Sequence, residues 1–467
     1  MTYDDALAYL DRVTNFERTH QPVAMRAVRL ERTRQLCERL GNPQRQFRSI
    51  LVGGTNGKGS ICAMIYAILK AATGRVGLYT SPHLQDPRER IRVSPDARQQ
   101  PLDANGASDW ISPEAFGAII GELARAVETK GALPDGPPTY FELMTAAAFL
   151  YFARSGVRVA VLEVGLGGRL DATNVADPVV SVLGPIGFDH MDVLGHDLLS
   201  IAREKAGIFR RGGMIVTASQ QRSVSMLIRE LASEQACELV EYGPAVSAEV
   251  DAHGIHGLRL VIRGLRGRYD ELTLPLIGRH QAENAAIAVA AVEALGEQGV
   301  PHAAVRRGLA RTRWLGRMQI IQEQPIVLLD GSHNPQAAMA LVQTLNELWP
   351  DRRKHLLLGM SADKPLDEIL GILAPVAHSI TCTQSRHPRA CDAQRLAQRL
   401  PVKHERICVI PDVADAYTFV LNTSGPCDVI VVTGSLFLVG QLQSALRCSN
   451  SVTRVPPEMS SEEMLCR

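Results

Sequence analysis

Short apolar runs alternate with longer segments of helical periodicity along most of the chain. The runs are rich in β-branched residues and end at Gly, Pro or Ser, which is typical of buried strands. Between them, segments such as Ser60–Ala72 and Phe141–Ser155 repeat apolar residues at helical spacing. This alternation favours a mostly parallel sheet with helices on both faces. The predicted strands of this first series are Ser49–Thr55, Arg75–Ser81, Val157–Gly165 and Val179–Pro185.

The pattern changes twice further along the chain. Residues 243–276 predict a meander of strands, and a second α/β series follows. The arginine-rich segment Arg307–Met318 separates the two series and predicts an interdomain hinge. We therefore expect a larger domain over residues 1–316, a smaller α/β domain over 317–447 and a disordered polar tail over 448–467. The strands expected in the second domain are Ile326–Gly331, Lys354–Met360, Ser379–Thr383 and Asp428–Ser435.

Composition and charge exclude several classes of protein. The chain has 467 residues, of which 46% are hydrophobic, and its 50 basic and 49 acidic residues leave a net charge of +1. That balance argues against nucleic acid or an anionic membrane as a partner of the whole surface. The apolar stretches are too short to span a membrane, and the first residues carry no leader pattern.

The number and spacing of the cysteines indicate the cellular compartment. The nine cysteines are scattered without CxxC spacing, which is typical of a reducing compartment. This usage predicts neither a disulfide framework nor a zinc cluster. We therefore expect a cytoplasmic protein, monomeric, whose partners are small molecules and include neither nucleic acid nor membrane.

The clearest chemical motif is GGTNGKGS at Gly53–Ser60. It follows a predicted strand and precedes a helical pattern, the context in which backbone N–H groups and a helix N-terminus hold phosphate. Lys58 would reach the β- and γ-phosphates of ATP, and Ser60 would offer a hydroxyl to Mg²⁺. The spacing is more compact than the usual GxxxxGK[ST], and a glycine-rich turn without a ligand is the alternative. The nucleotide-binding residues expected in this loop are Asn56, Gly57, Lys58, Gly59 and Ser60.

This loop, together with the segments that follow it, resembles the Mur ligase superfamily and most closely its folate branch, the dihydrofolate synthase/folylpolyglutamate synthases. The matching segments run in order over most of the chain, and their number in register makes the resemblance specific. Beyond the phosphate loop they are Tyr79–Leu84, Glu89–Val93, Thr139–Phe149, Leu162–Asn174, Gly187–Gly195, Ile201–Ile208, Gly278–Ala288, Leu315–Met318, Asp330–Pro335 and Thr433–Gly440.

The resemblance implies both a fold and an activity. The fold would be a Mur-ligase-like P-loop ATPase domain with a mostly parallel sheet, followed by a smaller Rossmann-like α/β domain. The enzyme would use ATP and Mg²⁺ to join L-glutamate to 7,8-dihydropteroate through an acyl phosphate, and would extend reduced folates with further glutamates. Such phosphoryl transfer needs charge neutralisation and positioning more than a protein nucleophile.

The family also implies a metal site and a modified lysine. By resemblance, Ser60, Ser81, Glu163 and His190 would bind Mg²⁺. Lys205, in REKAGI, resembles the lysine that the family carbamylates on N6 to give a carboxylate surrogate. The alternatives are a structural ion pair for the glutamate, a structural histidine and an ordinary solvated lysine.

Further family residues would complete the ATP and glutamate sites. Asn284 matches a residue that contacts adenine, while Arg317 and Asp330 match residues that reach ATP when the domains close. His333, in DGSHNP, would lie near the glutamate end of the site. With Lys58 and Lys205 it forms the expected catalytic set, although a solvated arginine at 317 and a structural histidine at 333 are the alternatives.

The pterin site is expected at two segments, TYFE and LDA. Phe141 would stack on the pterin ring and Asp171 would accept its amino hydrogens. Alternatively, Phe141 belongs to the core and Asp171 caps the turn near Thr173. The expected pterin-binding residues are Thr139, Tyr140, Phe141, Glu142, Leu170, Asp171 and Ala172.

Two departures from the family pattern bear on substrate preference. Arg29 stands where glycine is common, and Gly184-Pro185 replaces a more usual Thr/Ser-Asn/Ser pair. Three other functions stay open: a monofunctional folylpolyglutamate synthase, another Mur-type amino acid ligase and a nucleotide-binding module without catalysis. Only about 50 residues precede the phosphate loop, too few for a separate nucleotide-sugar domain, and this favours the folate branch.

Overall fold

The computed structural model describes residues 1–19, 30–95, 109–128, 133, 135–296, 300–401 and 404–452. Within these ranges the chain forms two large, mostly parallel sheets and one small antiparallel sheet. No helix in the same ranges is long and apolar enough to cross a membrane. The predicted α/β class is therefore observed in both halves of the chain.

The first large sheet carries the phosphate loop. Its strands are β1 (Arg48–Gly53), β2 (Val76–Tyr79), β3 (Ile91–Val93), β4 (Val159–Glu163), β5 (Pro178–Leu183), β6 (Met214–Thr217) and β7 (Glu238–Glu241). The order is β3-β2-β4-β1-β5-β6-β7, and only the β2–β3 pair is antiparallel. The central strands are buried on both faces, as a parallel sheet covered by helices requires.

Helices cover both faces of this sheet, and each face has its own apolar core. Amphipathic patterning explains their placement, since each helix buries its apolar stripe against the sheet. The helices are α1 (Tyr3–Leu10), α2 (Leu30–Arg39), α3 (Lys58–Thr73), α4 (Pro113–Glu128), α5 (Tyr140–Arg154), α6 (Met191–Leu194), α7 (Leu198–Ala206), α8 (Arg222–Glu234), α9 (His280–Glu293) and α10 (His302–Ala310).

The predicted meander forms a three-stranded antiparallel sheet beside α9. Its strands are β8 (Ser247–Gly254), β9 (Gly257–Arg263) and β10 (Arg268–Leu274), in the order β10-β9-β8. Helix α9 is rich in alanine and buried along nearly its whole length, because it packs between this small sheet and the large one. The meander thereby fixes α9 beside the phosphate loop.

The second large sheet has the order β11-β12-β16-β13-β14-β15, with only β11–β12 antiparallel. Its strands are β11 (Gln319–Glu323), β12 (Ile326–Leu329), β13 (Lys354–Leu358), β14 (Ser379–Cys382), β15 (Ile407–Val409) and β16 (Val429–Thr433). The helices on its two faces are α11 (Pro335–Leu348), α12 (Leu366–Leu373), α13 (Ala393–Gln398), α14 (Val413–Thr423) and α15 (Leu436–Val452).

Element ends differ from the sequence-based expectations in two places. Helix α10 continues to Ala310, so the irregular link between the two large sheets begins at Arg311 and not at Arg307. Helix α15 continues to Val452, so the first residues of the expected tail are helical. The rest of that tail, 453–467, lies outside the described residues, as does Arg29.

Candidate active site

The carboxyl ends of parallel strands from both large sheets face one cavity of about 410 Å³. The first sheet contributes the loops after β2, β4 and β5, and the second contributes the loops after β12, β13, β14 and β16. Open α/β sheets bind their ligands at this edge. The residues predicted from the sequence that line the cavity are Ser81, Thr139, Phe141, Glu142, Leu170, Asp171, Ala172, His190 and His333.

The phosphate loop connects β1 to the first residue of α3. Gly54 and Gly57 have φ angles of 136° and 78°, which L side chains rarely adopt, so the loop needs glycine at both positions. The Nζ of Lys58 donates hydrogen bonds to the carbonyls of Gly54 and Thr55, at 3.2 Å each. The lysine is thus folded over the loop at the N-terminus of α3, where phosphate is favoured.

The unusual Gly184-Pro185 pair packs against the backbone of the phosphate loop. The backbone N–H of Thr55 donates to the Pro185 carbonyl at 2.9 Å, and the N–H of Gly184 donates to Gly53 at 2.9 Å. A Cβ atom on Gly184 would lie 2.7 Å from the carbonyl oxygen of Asn56. This departure from the family pattern therefore has a packing role in the present chain.

Lys205 reaches the same loop from α7. Its Nζ donates to the Gly54 carbonyl at 2.9 Å, and the residue is 5% exposed. Burial, reinforced by the charge of Lys58, lowers the pKa of Lys205 to about 7. About half of such lysines are neutral at pH 7, so the amine has the nucleophilic form that carbamylation requires.

Of the four residues expected to bind Mg²⁺, Ser81 and Glu163 lie at the ends of β2 and β4, Ser60 lies in the first turn of α3, and His190 lies in the loop after β5. Glu163 is buried at the last position of β4, and its Oε2 accepts a hydrogen bond from the Ser81 N–H at 3.0 Å. Burial raises the pKa of Glu163, and the charge of Lys58 acts against this shift. Burial lowers the pKa of His190 to about 3, which leaves the ring neutral, as a metal ligand must be. The carboxylate and hydroxyl oxygens suit Mg²⁺, whereas the imidazole nitrogen of His190 is a less usual ligand for this ion.

Acidic, histidine and cysteine side chains alone do not form a metal site here. In the part of the chain that the structure describes, no group of three or more such side chains is arranged to hold a metal ion. The expected set contains only Glu163 and His190 of these types, and depends on the hydroxyls of Ser60 and Ser81 for the rest. The metal assignment accordingly stays a prediction.

Helix α9 contacts the phosphate loop from the side of the small sheet. The Nε2 of Gln281 donates to the Ser60 Oγ at 3.4 Å, and the Nδ2 of Asn284 donates to Gln281 Oε1 at 3.0 Å. A Cβ on Gly57 would lie 2.7 Å from the Asn284 Oδ1, so the asparagine touches the loop directly. Asn284 and Gln281 are therefore both at the phosphate loop, and the contact of Asn284 with adenine stays a prediction.

Asp330 and Arg317 lie where the link between the sheets meets the second sheet. Asp330 is buried, and its two carboxylate oxygens accept the backbone N–H groups of Met318 at 2.9 Å and Ser332 at 3.0 Å. These hydrogen bonds connect the end of the link, at Met318, to the loop after β12, at Ser332. Burial raises the pKa of Glu163, and the charge of the Arg317 guanidinium acts against this rise because it favours the ionised carboxylate.

A buried ion pair joins the two halves of the site. The Nζ of Lys364 lies 2.7 Å from the Asp189 Oδ1, and the side chains are 8% and 11% exposed. Asp189 precedes His190 in the chain, and its Oδ2 is 3.8 Å from the Nε2 of His333. Burial lowers the pKa of His333 to about 4 and leaves its ring neutral. The two expected histidines therefore come together around one carboxylate.

The second half of the chain also contacts the phosphate loop itself. The Nδ2 of Asn334 donates to the Asn56 Oδ1 at 2.9 Å, and the Nδ2 of Asn56 donates to the Gln336 Oε1 at 2.8 Å. Asn334 caps α11 by accepting the Ala337 N–H. The start of α11 is thereby fixed against the loop expected to hold ATP.

At the expected pterin end, both alternatives for Asp171 are visible. Its Oδ1 accepts the Thr173 N–H at 3.0 Å and its Oδ2 accepts the Leu166 N–H at 2.9 Å, so it caps the turn. It also lines the cavity, and burial raises its pKa. Phe141 lines the cavity beside Gly165, where a Cβ would lie 2.5 Å from the phenyl ring. The absence of a side chain at Gly165 leaves room for the edge of that ring.

The TYFE segment has a structural role in starting α5. Thr139 and Glu142 form a capping box, and Glu142 makes a bidentate ion pair with Arg32 at 2.7 and 2.8 Å. Tyr140 is absent from the cavity wall, and its ring lies 5.3 Å from the guanidinium carbon of Arg90. Within this segment, the geometry favours Phe141 over Tyr140 as the ligand contact.

Sequence reasoning missed several residues of the site. Lys364 and Arg389 both line the cavity, Asp189 holds Lys364, and Gln281 contacts the phosphate loop. An isolated lysine, arginine or glutamine carries no spacing pattern, and the Lys364–Asp189 pair joins positions 175 residues apart. Asp189 lies inside a family motif, but the family resemblance implies a ligand role only for the adjacent histidine.

Comparison with known families defines the class of protein. A model described as the Mur ligase middle domain matches residues 114–292, and one described as the Mur ligase, glutamate ligase domain matches residues 316–436. The fold is that of a Mur-type ligase. A curated Bacillus subtilis relative, dihydrofolate synthase/folylpolyglutamate synthase, is 34% identical over 422 residues, which cover 90% of this chain and 95% of the relative.

Solved structures agree with this assignment. E. coli FolC in complex with DHPP and ADP has a TM-score of 0.83 at 31% identity, covering 96% of this chain and 99% of that one. A Yersinia pestis bifunctional folylpolyglutamate synthase/dihydrofolate synthase complexed with AMPPNP and Mn ion has a TM-score of 0.79 at 30% identity, with 96% and 98% covered. The chain belongs to the dihydrofolate synthase/folylpolyglutamate synthase family. The family, the fold and the ATP-dependent ligase class expected from the sequence are confirmed.

Proposed function

We propose that this enzyme uses ATP to join L-glutamate to 7,8-dihydropteroate, and that it extends reduced folates with further glutamates. One observation carries the proposal. Lys58 and Lys205 both hydrogen-bond the Gly54 carbonyl of the phosphate loop, while a cavity lined by Phe141 and Asp171 opens at the same sheet edge. A phosphate site and a ring-sized apolar site thus lie side by side, as carboxylate activation by ATP requires.

The phosphate loop and its neighbours would stabilise the transferred phosphoryl group. Lys58 and the N-terminus of α3 supply positive charge where the phosphates would lie. Asn284 would contact the adenine, and Arg317 would add charge from the link. Ser60, Ser81, Glu163 and His190 would hold Mg²⁺, which supplies further neutralisation of phosphate charge.

Lys205 would act as a carbamate. Its neutral amine attacks CO₂: an N–C bond forms, one C=O π bond of CO₂ opens to leave a carboxylate, and one proton leaves the nitrogen, so a neutral amine becomes an anion. The lowered pKa of Lys205, about 7, supports this modification at neutral pH. The resulting carboxylate would lie beside the Gly54 carbonyl and assist in holding the metal.

In the second half-reaction the amino group of glutamate attacks the acyl carbon and phosphate leaves. His333 is proposed to orient that amino group. Its Nδ1 lies 2.8 Å from the Gly331 carbonyl, which fixes the proton on Nδ1 and leaves the Nε2 lone pair free to accept from the amine. The ring is neutral at pH 7 because burial lowers its pKa to about 4.

The proposal also covers which domain holds each site, the oligomeric state and the cellular compartment. The ATP and pterin sites belong to residues 1–316 and the glutamate site mainly to 317–447, with the link allowing closure. The enzyme acts as a cytoplasmic monomer on small molecules. Nucleotide and Mn complexes of relatives support ATP and a divalent ion as ligands of this site.

The direct test is ATP turnover with defined substrates. Purified protein with ATP, Mg²⁺, dihydropteroate and glutamate should release ADP and phosphate only when both organic substrates are present. Phosphate release that ignores either substrate would contradict the ligase function. The Lys58→Ala variant should lose turnover, and near-normal rates would remove the phosphate-loop assignment.

A second arm separates the bifunctional enzyme from the monofunctional alternative. Replacing dihydropteroate by tetrahydrofolate should still give glutamate-dependent turnover and a product longer by one glutamate. Turnover with tetrahydrofolate alone would identify a monofunctional folylpolyglutamate synthase, and turnover with dihydropteroate alone would remove the extension activity.

A further inference from the structure

The loop after β2, residues 81–86, connects the expected ATP site to the second large sheet. At its start, the Ser81 N–H donates to the Glu163 carboxylate at 3.0 Å. Three residues later, the Leu84 carbonyl faces Gly440 of α15 so closely that a Cβ on the glycine would lie 2.1 Å from the carbonyl oxygen. Gly440 is buried inside the helix, where glycine is less favourable than alanine. The absence of a side chain there thus serves the contact with the loop, at a cost to the helix.

The Leu84 side chain belongs to the same contact. It packs against the apolar cluster on one face of the second large sheet. A Cβ on Gly316 would lie 3.4 Å from the Leu84 Cδ2 and 3.3 Å from the Val439 Cγ1 of α15. The φ angle of Gly316 is 71°, which favours glycine. Because Gly316 immediately precedes Arg317, Leu84 lies against the link beside the arginine expected to reach ATP.

The loop is held rigidly enough to transmit this contact. The buried carboxylate of Glu89 accepts three consecutive backbone N–H groups, those of residues 84–86, at 2.8, 2.8 and 2.9 Å. The Nδ1 of His83 accepts a hydrogen bond from the Arg90 Nε at 2.8 Å. Since these bonds fix the middle and the end of the loop, a displacement of its second half is passed to Ser81.

A chain of amide side chains extends the contact to the link. The Gln85 Nε2 donates to the Gln443 Oε1 at 3.4 Å, and the Gln443 Nε2 donates to the Gln319 Oε1 at 2.9 Å. The same oxygen of Gln319 accepts the Gly316 N–H at 3.0 Å. The loop, α15 and the segments on both sides of Arg317 are thus joined in one hydrogen-bonded unit.

We propose that Leu84 and Gly440 are positioning residues, which couple the docking of the second large sheet to the placement of Arg317 and Ser81 beside the phosphate loop. The inference rests on the proposed function for the roles of Arg317 and Ser81. Neither Leu84 nor Gly440 lines the cavity. Their effect on the reaction therefore passes through the loop and the link, and not through contact with a substrate.

The first test compares Gly440→Ala with Gly371→Ala, a matched change in α12 of the same domain, where nothing lies within 4 Å of a Cβ. At position 440 the added methyl group meets a backbone carbonyl that cannot rotate away, so the loop and α15 must separate. Because misplacement by about 1 Å can cost about a hundredfold, kcat/KM for ATP should fall about tenfold or more. Gly371→Ala should match the wild type within about twofold. A value for Gly440→Ala inside that range would overturn the proposal.

Leu84→Ala tests the contact from the loop side, and decides the question if Gly440→Ala does not fold. It removes the side chain beside Gly316 and should also lower kcat/KM for ATP. Leu84→Ile keeps the apolar volume and should retain most of the activity. Because both changes act on one contact, the double variant should be less impaired than the product of the two single effects. Wild-type activity of Leu84→Ala, or effects that multiply, would contradict the coupling.

A measurement without turnover separates this proposal from the proposed function. Tryptic cleavage at the exposed Arg311 and Arg313 reports whether the link stays docked. Cleavage should be several-fold faster in Gly440→Ala and Leu84→Ala, at a temperature where circular dichroism shows every protein folded. A merely structural role would lower the unfolding temperature and leave kcat/KM of the folded protein unchanged. If the wild type lacks ligase activity while the variants are cleaved faster, only the proposed function fails. If the wild type is active and cleavage is unchanged in both variants, the coupling fails.

Discussion

At the scale of single residues, burial sets the chemistry of Lys205. Its environment lowers the pKa to about 7, because an ammonium is poorly solvated there and lies near Lys58. Only the neutral amine reacts with CO₂. Enzyme stripped of CO₂ should therefore regain activity on adding bicarbonate, with a rate that falls about tenfold per unit as pH drops below 7.

The same residue offers a chemical rescue. Lys205→Ala should lose most activity, and short carboxylic acids should restore part of it by occupying the vacated volume with a carboxylate. Activity recovery is the measurement, and Lys70→Ala provides a control because that lysine pairs with Asp109 away from the phosphate loop. Full activity of Lys205→Ala without added acid would contradict the carbamate.

Glu142 lines the ligand cavity, but its buried ion pair indicates that it stabilises the fold. Its pair with Arg32 is buried, with side chains 2% and 11% exposed. Glu142→Gln leaves the guanidinium unpaired and should lower the free energy of unfolding by about 3 kcal/mol. The exposed pair of Glu31 with Arg34 is the control, and Glu31→Gln should cost about 0.5 kcal/mol or less. Denaturant unfolding measures both, and equal small losses would contradict the structural role.

At the scale of elements, the phosphate loop depends on the segment beneath it. A side chain on Gly184 would meet the carbonyl of Asn56, which belongs to the backbone of the loop and cannot rotate away. Gly184→Ser should therefore cost about 1–3 kcal/mol of stability and raise the KM for ATP. Gly371→Ser, with nothing within 4 Å of its Cβ, should change neither. An unchanged KM for ATP in Gly184→Ser would show that the loop tolerates displacement.

Element by element, the sequence predicts the buried centre of the fold better than its edges. Strands β4, β13 and β16 lie within the predicted segments, and β1 begins one residue before its segment, because buried apolar runs are readable from periodicity alone. Strands β6 and β7 are not predicted, since each is only four residues long, and β7 also lies at the edge of the sheet, where burial is less complete. Helix α10 continues into the expected hinge because Val305 and Leu309 still find apolar contacts there.

The candidate site likewise has a part that the sequence predicts and a part that it does not. Its loops follow predictable strands, so Ser81, Glu163 and the phosphate loop come to one sheet edge as topology requires. Contacts across the two large sheets, such as Lys364 with Asp189, depend on how the sheets face each other. No local sequence pattern encodes that packing. The sequence alone therefore does not predict that Lys364 and Arg389 line the cavity.

At the scale of the whole molecule, the cavity exists only because two large sheets present their carboxyl edges to each other. A second contact between the two domains lies outside the cavity and holds the two sheets in that arrangement. Glu347 of α11 accepts a hydrogen bond from Arg279 at 2.6 Å, and its Oε2 lies 3.2 Å from the His253 Nδ1; both partners precede the link between the two large sheets. The Nε2 of His253 in turn accepts the Gly278 N–H, just before α9. The contact therefore connects the second sheet to the helix that touches the phosphate loop.

Breaking this contact should loosen the arrangement without touching the cavity. Glu347→Gln is expected to cost about 1 kcal/mol, because the pair is only partly buried, and to speed tryptic cleavage at the exposed Arg311 and Arg313 several-fold. Glu241→Gln breaks a partly exposed pair with Arg229 within the first domain and should leave cleavage unchanged.

The pH dependence of the same cleavage gives an independent check. Although burial acts in the opposite direction, hydrogen bonds from Arg279 and His253 lower the pKa of Glu347. A carboxyl group whose pKa is lower in the folded protein contributes stability above its ordinary pKa and loses that contribution as pH falls through the folded value. Wild-type cleavage by an acid-active protease should thus accelerate as pH falls below about 4. Glu347→Gln lacks the titrating group and should show a flatter profile. Parallel profiles for the two proteins would mean that this carboxylate does not hold the two sheets together.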